Sequence, residues 1–324
     1  MKTKILMALK ETDGYVSGQE LCEKFGVSRT AVWKVMEKLK DEGYEIESVR
    51  NRGYRLVHAP DIFSAEEIET RVHTKVIGRR VLFFDELEST NVYCKQHGEE
   101  LENGTLVVAE AQDAGKGSRG RGWQSPGGVA IYMSVLLKPD IPPMHAPRLT
   151  LVMALSVVRA LRGMGIEAQI KWPNDVVING KKLVGILTEM SSEVDYIHHV
   201  VIGVGINVLT PYFPEEIAQR ATSLYIETGR RYSRAALTAA VMDCFEKDYE
   251  AFLQTEDLSQ LLEQYRQFSA TIGRDVRILA RGNEYTAKAL DVDKDGQLLV
   301  EKENGERVKV FADEVSVRGI YGYV

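Results

Sequence analysis

The densest chemistry in this 324-residue chain lies between Glu110 and Pro126, where Lys116, Arg119 and Arg121 alternate with Gly115, Gly117, Gly120 and Gly122. No carboxylate follows Asp113 in this stretch. Closely spaced glycines let backbone N–H groups approach a ligand, and fixed cations beside them stabilise anionic oxygens. The stretch leaves an extended run, residues 105–109, and its glycines argue against a regular element. An anion-binding loop is one reading, and a flexible surface loop with solvated charges is the other. Neither standard nucleotide loop fits. Lys116 is not followed by a Ser/Thr that opens a helix, and the next element, residues 129–137, reads as a strand.

Four further groups carry chemistry. Ser89, Thr90 and Asn91 precede a helix expected over residues 91–101. Such residues cap helices, and they also hydrogen-bond amide or urea groups. Lys171, Trp172, Pro173, Asn174 and Asp175 join a cation, an aromatic plate, an amide and a carboxylate. Pro173 keeps Trp172 extended. Asp175 can hold Mg²⁺ or orient an amine, although a strand–turn–strand with Trp172 in the core explains the same pattern. Lys182 follows an Asn179-Gly180 hairpin turn and alternates with Leu183. Gly203 and Gly205 lie in a strand over residues 196–206 that ends beside Asn207, and glycines there permit close approach.

Positioning these groups takes more than one domain. The composition, 44% hydrophobic and 27% charged, is that of a globular chain with a real core. No apolar run approaches 18 residues, so no membrane span is expected, and the charged N-terminus reads as an amphipathic helix rather than a signal peptide. Cys22, Cys94 and Cys244 are too scattered for a disulfide framework or a zinc site and fit a reducing cytoplasm.

The net charge of −6 is unevenly spread: residues 1–58 hold 11 Lys/Arg against 9 Asp/Glu, leaving −8 for the rest. Any nucleic-acid contact is therefore expected at the N-terminus. There, a helix over residues 2–11 precedes a capping box at Ser17 and Glu20 with Leu21 and Phe25 inward. Ser28 caps a further helix over residues 29–40, and two short strands follow around Arg50 and Arg52. This is the plan of a winged helix-turn-helix. Ser28, Arg29, Thr30, Trp33 and Lys34 would face the major groove, with Arg50, Arg52 and Arg55 along phosphates. A three-helix protein-interaction module is the competing reading. Two half-sites would require a dimer.

Ser64 and Glu67 begin the next helix, so the linker is placed at residues 59–62 and the domains at 1–60, 61–271 and 272–324. Helices are expected over 146–163, 233–252 and 258–268. Short strands over 276–280, 285–292, 297–301 and 308–311, with turns at Asp295-Gly296 and Asn304-Gly305, read as a small barrel.

Taken in order, Ser89 to Asn91, Gly115 to Trp123, Lys171 to Asp175, Lys182 to Gly185 and Gly203 to Asn207 resemble the biotin protein ligases. The N-terminal module makes the likeness one to the bifunctional ligase–repressors, over essentially the whole chain. The resemblance implies an α+β fold: a winged helix-turn-helix, a class II aminoacyl-tRNA synthetase-like mixed sheet with helices on one side, and an SH3-like C-terminal barrel. It implies that biotin and ATP, with Mg²⁺, give biotinyl-5′-AMP and pyrophosphate, and that a lysine of a biotin carboxyl carrier domain then takes the biotinyl group. It also implies operator binding by a liganded homodimer.

Carried over residue by residue, the biotin set is Ser89, Thr90, Asn91, Gln112, Lys116, Gly117, Ser118, Lys182 and Gly185. The ATP set is Arg119, Arg121, Trp123, Lys171, Asn174 and Asn207. Lys182, Arg119, Arg121 and Asp175 would be catalytic, with Asp175 also the Mg²⁺ ligand. The loop departs from the family's pattern, since Lys116 and Ser118 stand where two arginines are usual. Lys keeps the charge without the planar fork and Ser keeps neither, which moves the role of retaining the adenylate to Arg119 or Arg121. A biotin sensor without catalysis and a lipoate ligase are the alternatives.

Overall fold

The computed structural model describes residues 1–280, 283–312, 315–319 and 323–324. Its N-terminal unit comprises α1 (Lys2–Glu11), α2 (Gly18–Phe25), α3 (Arg29–Asp41) and a hairpin of β1 (Glu45–Val49) with β2 (Gly53–His58). Ser17 and Ser28 cap α2 and α3 through the amides of Glu20 and Ala31, as capping chemistry requires. Ile5, Leu6, Leu9, Leu21, Val32, Met36 and Leu39 form a core of their own. At Gly53, with φ of 107°, an added Cβ would lie 2.1 Å from the Val16 carbonyl oxygen, so only glycine lets the wing pack on the loop before α2.

This unit is joined to the next through α4 (Ala65–Glu69). Glu67, fully buried, accepts from the Tyr44 hydroxyl at 2.5 Å and from Lys10 Nζ at 2.8 Å, and pairs with Arg71 at 2.7 Å. Removing one partner of a buried ionic cluster strands the others. Glu67→Ala is therefore expected to destabilise the N-terminal unit by about 3 kcal/mol. Thermal melts and operator binding would register the loss, while chemistry in the central domain stays intact.

The central sheet has the order β3-β4-β5-β9-β8-β7-β6. Its strands are β3 (Val81–Leu87), β4 (Leu106–Gln112), β5 (Ala130–Leu137), β6 (Gln169–Lys171), β7 (Asp175–Ile178), β8 (Lys181–Ser192) and β9 (Ile197–Asn207), with α5 (Thr90–Gln96) between β3 and β4. Only β3 and β4 pair in parallel. One face buries Leu106, Val108, Met133, Val135, Ile202 and Val204 against α6 (Leu149–Gly163) and the helices that follow β9. Those that reach this core are α8 (Leu224–Thr228), α9 (Arg234–Thr255) and α10 (Leu262–Phe268), whereas the short α7 (Glu215–Ala218) before them buries none of its residues.

The alternate residues point the other way. There, Val107, Leu136 and Val201 form a small second core with Cys94 of α5. The expectation of helices on one side thus holds for the main core, but α5 covers part of the opposite face. The stretch Pro143–Gly163 has the length and composition of a membrane span, yet it is mostly buried and forms the central core helix.

The C-terminal strands are β10 (Asp275–Ala280), β11 (Asn283–Val292), β12 (Leu298–Lys302), β13 (Arg307–Val310) and β14 (Val315–Gly319), an antiparallel set in the order β13-β12-β11-β10-β14. Trp172, buried at the β6–β7 turn, fixes them to the sheet: its indole N–H donates to the Gly296 carbonyl at 3.0 Å. Packing, not ligand contact, therefore accounts for Trp172.

Several boundaries differ from the sequence reading for local reasons. Residues 146–163 start as a 3₁₀ turn, Pro143–Arg148, because Pro147 lacks an amide donor, and become α-helical only at Leu149. Helix α5 stops at Gln96, before Gly98, where an added Cβ would lie 2.3 Å from the His199 ring. The glycine-rich stretch is not without regular structure. Gly117 N–H donates to the Arg121 carbonyl and Trp123 N–H to Gly115, both at 2.7 Å, and Ser118–Gly120 forms one 3₁₀ turn.

Candidate functional site

The non-core face of the central strands bears an unusual set of residues. Ser134 is the one hydroxyl-bearing aliphatic side chain in the otherwise apolar β5, and it is fully buried. Its hydroxyl lies 2.7 Å from Thr90 Oγ1 and 2.6 Å from Asn91 Oδ1. The Asn91 amide donates to the Leu187 carbonyl at 3.2 Å and to Glu189 at 2.9 Å. Gln112 Oε1 accepts from the Thr90 amide at 2.8 Å, and its Nε2 donates to Ser125 Oγ at 2.9 Å. Side chains held by several bonds each are pre-organised for a polar ligand. Ser89 precedes α5 but makes no cap bond; its side chain lines the cleft instead.

The glycines opposite are steric requirements. Gly185 and Gly205 are partners across β8 and β9. An added Cβ would approach the Trp123 ring to 2.9 Å at Gly185 and 2.7 Å at Gly205, and Asn91 Oδ1 to 2.0 Å at Gly203. Trp123 thus lies from the glycine-rich loop onto a bare patch of sheet. Its buried indole N–H has no hydrogen-bond partner among the described residues, which makes it a donor available to a ligand.

Between these surfaces runs an open-mouthed cleft. Ser89, Thr90, Asn91, Gln112, Lys116, Gly117, Ser118, Lys182 and Gly185 all line it, together with Trp123 and Asn174 of the second group of expected residues. Asn174 also clamps β7 to β8, donating to the Ile186 carbonyl at 3.0 Å. Sequence reasoning missed Tyr132, Ser134, Ser125 and Glu189. A lone serine inside an apolar strand was the available signal for Ser134.

Behind Lys182 lies a buried charged cluster, and its members Lys171 and Asp175 do not themselves line the cleft. Lys182 Nζ lies 2.5 Å from Asp175 Oδ1 and 5.3 Å from the Trp123 ring centre. The contact to Asp175 is a close ion pair. Lys171 Nζ lies 3.5 Å from the other carboxylate oxygen. Burial would raise the pKa of Asp175, but the Lys182 and Lys171 ammoniums and the Tyr323 hydroxyl outweigh it, so the carboxyl sits below its ordinary range.

Three expectations need revision or restriction. Asp175 faces two ammoniums and a hydroxyl, and no group of three His, Cys, Asp or Glu among the described residues can hold a metal. A protein-held Mg²⁺ does not fit this arrangement. Asn207 turns its amide to the Thr222 carbonyl at 3.0 Å and does not line the cleft. Arg121 is exposed, and the side chain of Arg119 lies outside the described residues.

At the N-terminus, Arg29, Thr30, Trp33 and Lys34 are exposed on one face of α3, behind the capping Ser28. Arg52 stacks on Tyr15 at 4.4 Å, Arg50 is exposed, and Arg55 pairs with Glu47 at 2.6 Å. Arg55 remains exposed while it makes this surface ion pair.

A class follows from this geometry: a preorganised polar cleft leading to paired lysines suits activation of a small acid. Residues 83–207 match the Biotin/lipoate A/B protein ligase family, residues 2–55 an HTH domain and residues 271–318 the Biotin protein ligase C terminal domain. The chain belongs to the biotin protein ligase family. It is 40% identical to the bifunctional ligase/repressor BirA of Bacillus subtilis over 94% of each chain, and 31% identical to BirA of Escherichia coli over 92% of each. A biotin protein ligase from Aquifex aeolicus, solved with biotin and ATP, superposes with a TM-score of 0.66 at 30% identity, covering 74% of this chain and 99% of that one.

Proposed function

We propose that the chain activates biotin with ATP to biotinyl-5′-AMP, transfers the biotinyl group to a lysine of biotin carboxyl carrier domains, and represses transcription when liganded. The observation that carries the reading is the continuity of the polar floor, Trp123 and Lys182 in one cleft. In this reading Ser89, Thr90, Asn91 and Gln112 take the ureido ring. Lys116, Gly117, Ser118 and Gly185 border the ligand, and Trp123 covers it.

The biotin carboxylate attacks the α-phosphorus of ATP and pyrophosphate leaves. Lys182 stabilises the charge that builds on the phosphoryl oxygens, Lys171 adds positive potential from behind Asp175, and Arg119 and Arg121 are assigned to the same charge from the sequence. Asn174 borders the nucleotide. ATP is a substrate, accompanied by Mg²⁺ as its counter-ion. The acceptor amine then attacks the mixed anhydride and releases AMP, so no protein side chain needs to act as a covalent nucleophile.

For repression, Ser28, Arg29, Thr30, Trp33 and Lys34 read the major groove, while Arg50 and Arg52 meet phosphates. The liganded chain pairs into a homodimer on a two-fold operator. A ligand that favours the dimer must bind the dimer more tightly. The three free cysteines accord with a cytoplasmic setting.

Two measurements test the two activities. Pyrophosphate release should depend on biotin and be unaffected by excess lipoate; release driven equally by lipoate would contradict the substrate. Sedimentation should show a larger association constant with biotin and ATP than without; equal constants would remove the linkage to repression.

A further inference from the structure

The charged cluster behind Lys182 includes a residue far away in sequence. The Tyr323 hydroxyl donates to Asp175 Oδ2 in a short hydrogen bond, across 148 positions of chain. Its ring lies against Lys171, with the ammonium 3.9 Å from the ring centre. Lys171 and Asp175 are themselves cross-strand partners in the β6–β7 hairpin. Asp175 therefore meets Lys171 from β6, Lys182 from β8 and Tyr323 from the C-terminal tail. Arg121 and Arg220 add positive potential around the tyrosine.

We infer that Tyr323 is a positioning residue for adenylation, acting through Asp175 to fix where Lys182 stands in the cleft. The inference rests on the function proposed above. The two lysines are not equally constrained: the Lys182 side chain is 25% exposed and that of Lys171 only 7%. Lys182 is the one free to wander, and Asp175 is the group that anchors it. A carboxylate held by one hairpin alone can turn about its own side-chain bonds. The added hydroxyl fixes one oxygen and leaves the other aimed at Lys182. The ring meanwhile covers the Lys171 ammonium, a cation–π contact that survives loss of the hydroxyl. Among the described residues, the C-terminal domain thereby contributes to the adenylation centre through the Tyr323 side chain.

The test is steady-state pyrophosphate release with biotin, ATP and Mg²⁺, comparing the unaltered chain with Tyr323→Phe, Asp175→Asn and the double variant. Phenylalanine keeps the ring and removes only the hydroxyl. Misplacing one catalytic group is expected to lower kcat about ten-fold, with both KM values within about two-fold. Because Tyr323 acts through Asp175, Tyr323→Phe should add nothing further in the Asp175→Asn background. A merely structural tyrosine would instead give independent, multiplicative losses or raise both KM values. A kcat for Tyr323→Phe within two-fold of the unaltered chain, or full additivity with Asp175→Asn, would overturn the inference. Absence of biotin-dependent release from the unaltered chain would overturn the proposed function itself.

Discussion

Lys182→Ala is expected to lower the rate of biotin-dependent pyrophosphate release by about 10²–10³-fold, the loss typical of removing one donor to a developing oxyanion. The geometry sets both the size and the selectivity of the effect. Lys182 Nζ stands at the junction of the polar floor and the charged cluster, 2.5 Å from Asp175 and 5.3 Å from the Trp123 ring centre. Alanine removes the cation and leaves the buried carboxylate of Asp175 facing Lys171 and Tyr323. The site then presents less positive charge to the phosphates when charge builds there. The polar floor, Thr90, Asn91 and Gln112, keeps its bonds to Ser134, Ser125 and Glu189. Biotin affinity should therefore change far less than the rate. Lysine-to-arginine should not restore activity, since a planar fork cannot replace a compact ammonium beside Gly185 and Trp123. Single-turnover kinetics would measure the effect directly, and a rate within three-fold of the unaltered chain would remove Lys182 from the chemistry.

The second large effect is steric. Gly203→Ala places a Cβ where Asn91 Oδ1 would lie 2.0 Å away. Backbone in the middle of β9 cannot retreat, being paired on both sides with β5 and β8. Asn91 must turn, and it then gives up its contacts with Ser134, Leu187 and Glu189. Each stranded buried polar group costs about 1–3 kcal/mol. Two such losses, about 2–6 kcal/mol, correspond to a rise of roughly 30-fold to 10⁴-fold in the biotin Kd, measurable by calorimetry. Gly163→Ala is the control: nothing lies within 4 Å of a Cβ there, at the end of α6, so affinity should not move. Equal affinities for the two variants would show that the Asn91 network does not hold the ligand.

The sequence carried most of this fold because its local signals were strong. The caps at Ser17, Ser28 and Ser64 and the Asn179-Gly180 turn mark element ends by hydrogen-bond and φ requirements that do not depend on the rest of the chain. Glycines in β9 announced close approach, but not what approaches. Asn91 and Trp123 arrive from elements more than 80 residues away, and no local pattern encodes that meeting. Long-range partnering also separated Trp172 from the ligand: a buried indole bonded to Gly296 looks, in sequence, like an aromatic plate beside Asp175. Asp175 itself read as a metal ligand because Lys171 lies four residues before it and Lys182 beyond a hairpin, so their convergence appears only once β6, β7 and β8 are laid side by side. Tyr323 carried no signal in the chain. Its role depends on where the C-terminal tail returns to the sheet.

The most direct test of the central claim is transfer of biotin to a purified biotin carboxyl carrier domain, with ATP and Mg²⁺, followed by mass spectrometry. The account predicts one biotinyl group on the acceptor lysine, dependent on ATP and absent when that lysine is replaced by arginine. An unmodified carrier, with biotin nonetheless tightly bound to the chain, would contradict it and leave a biotin-sensing repressor without ligase activity.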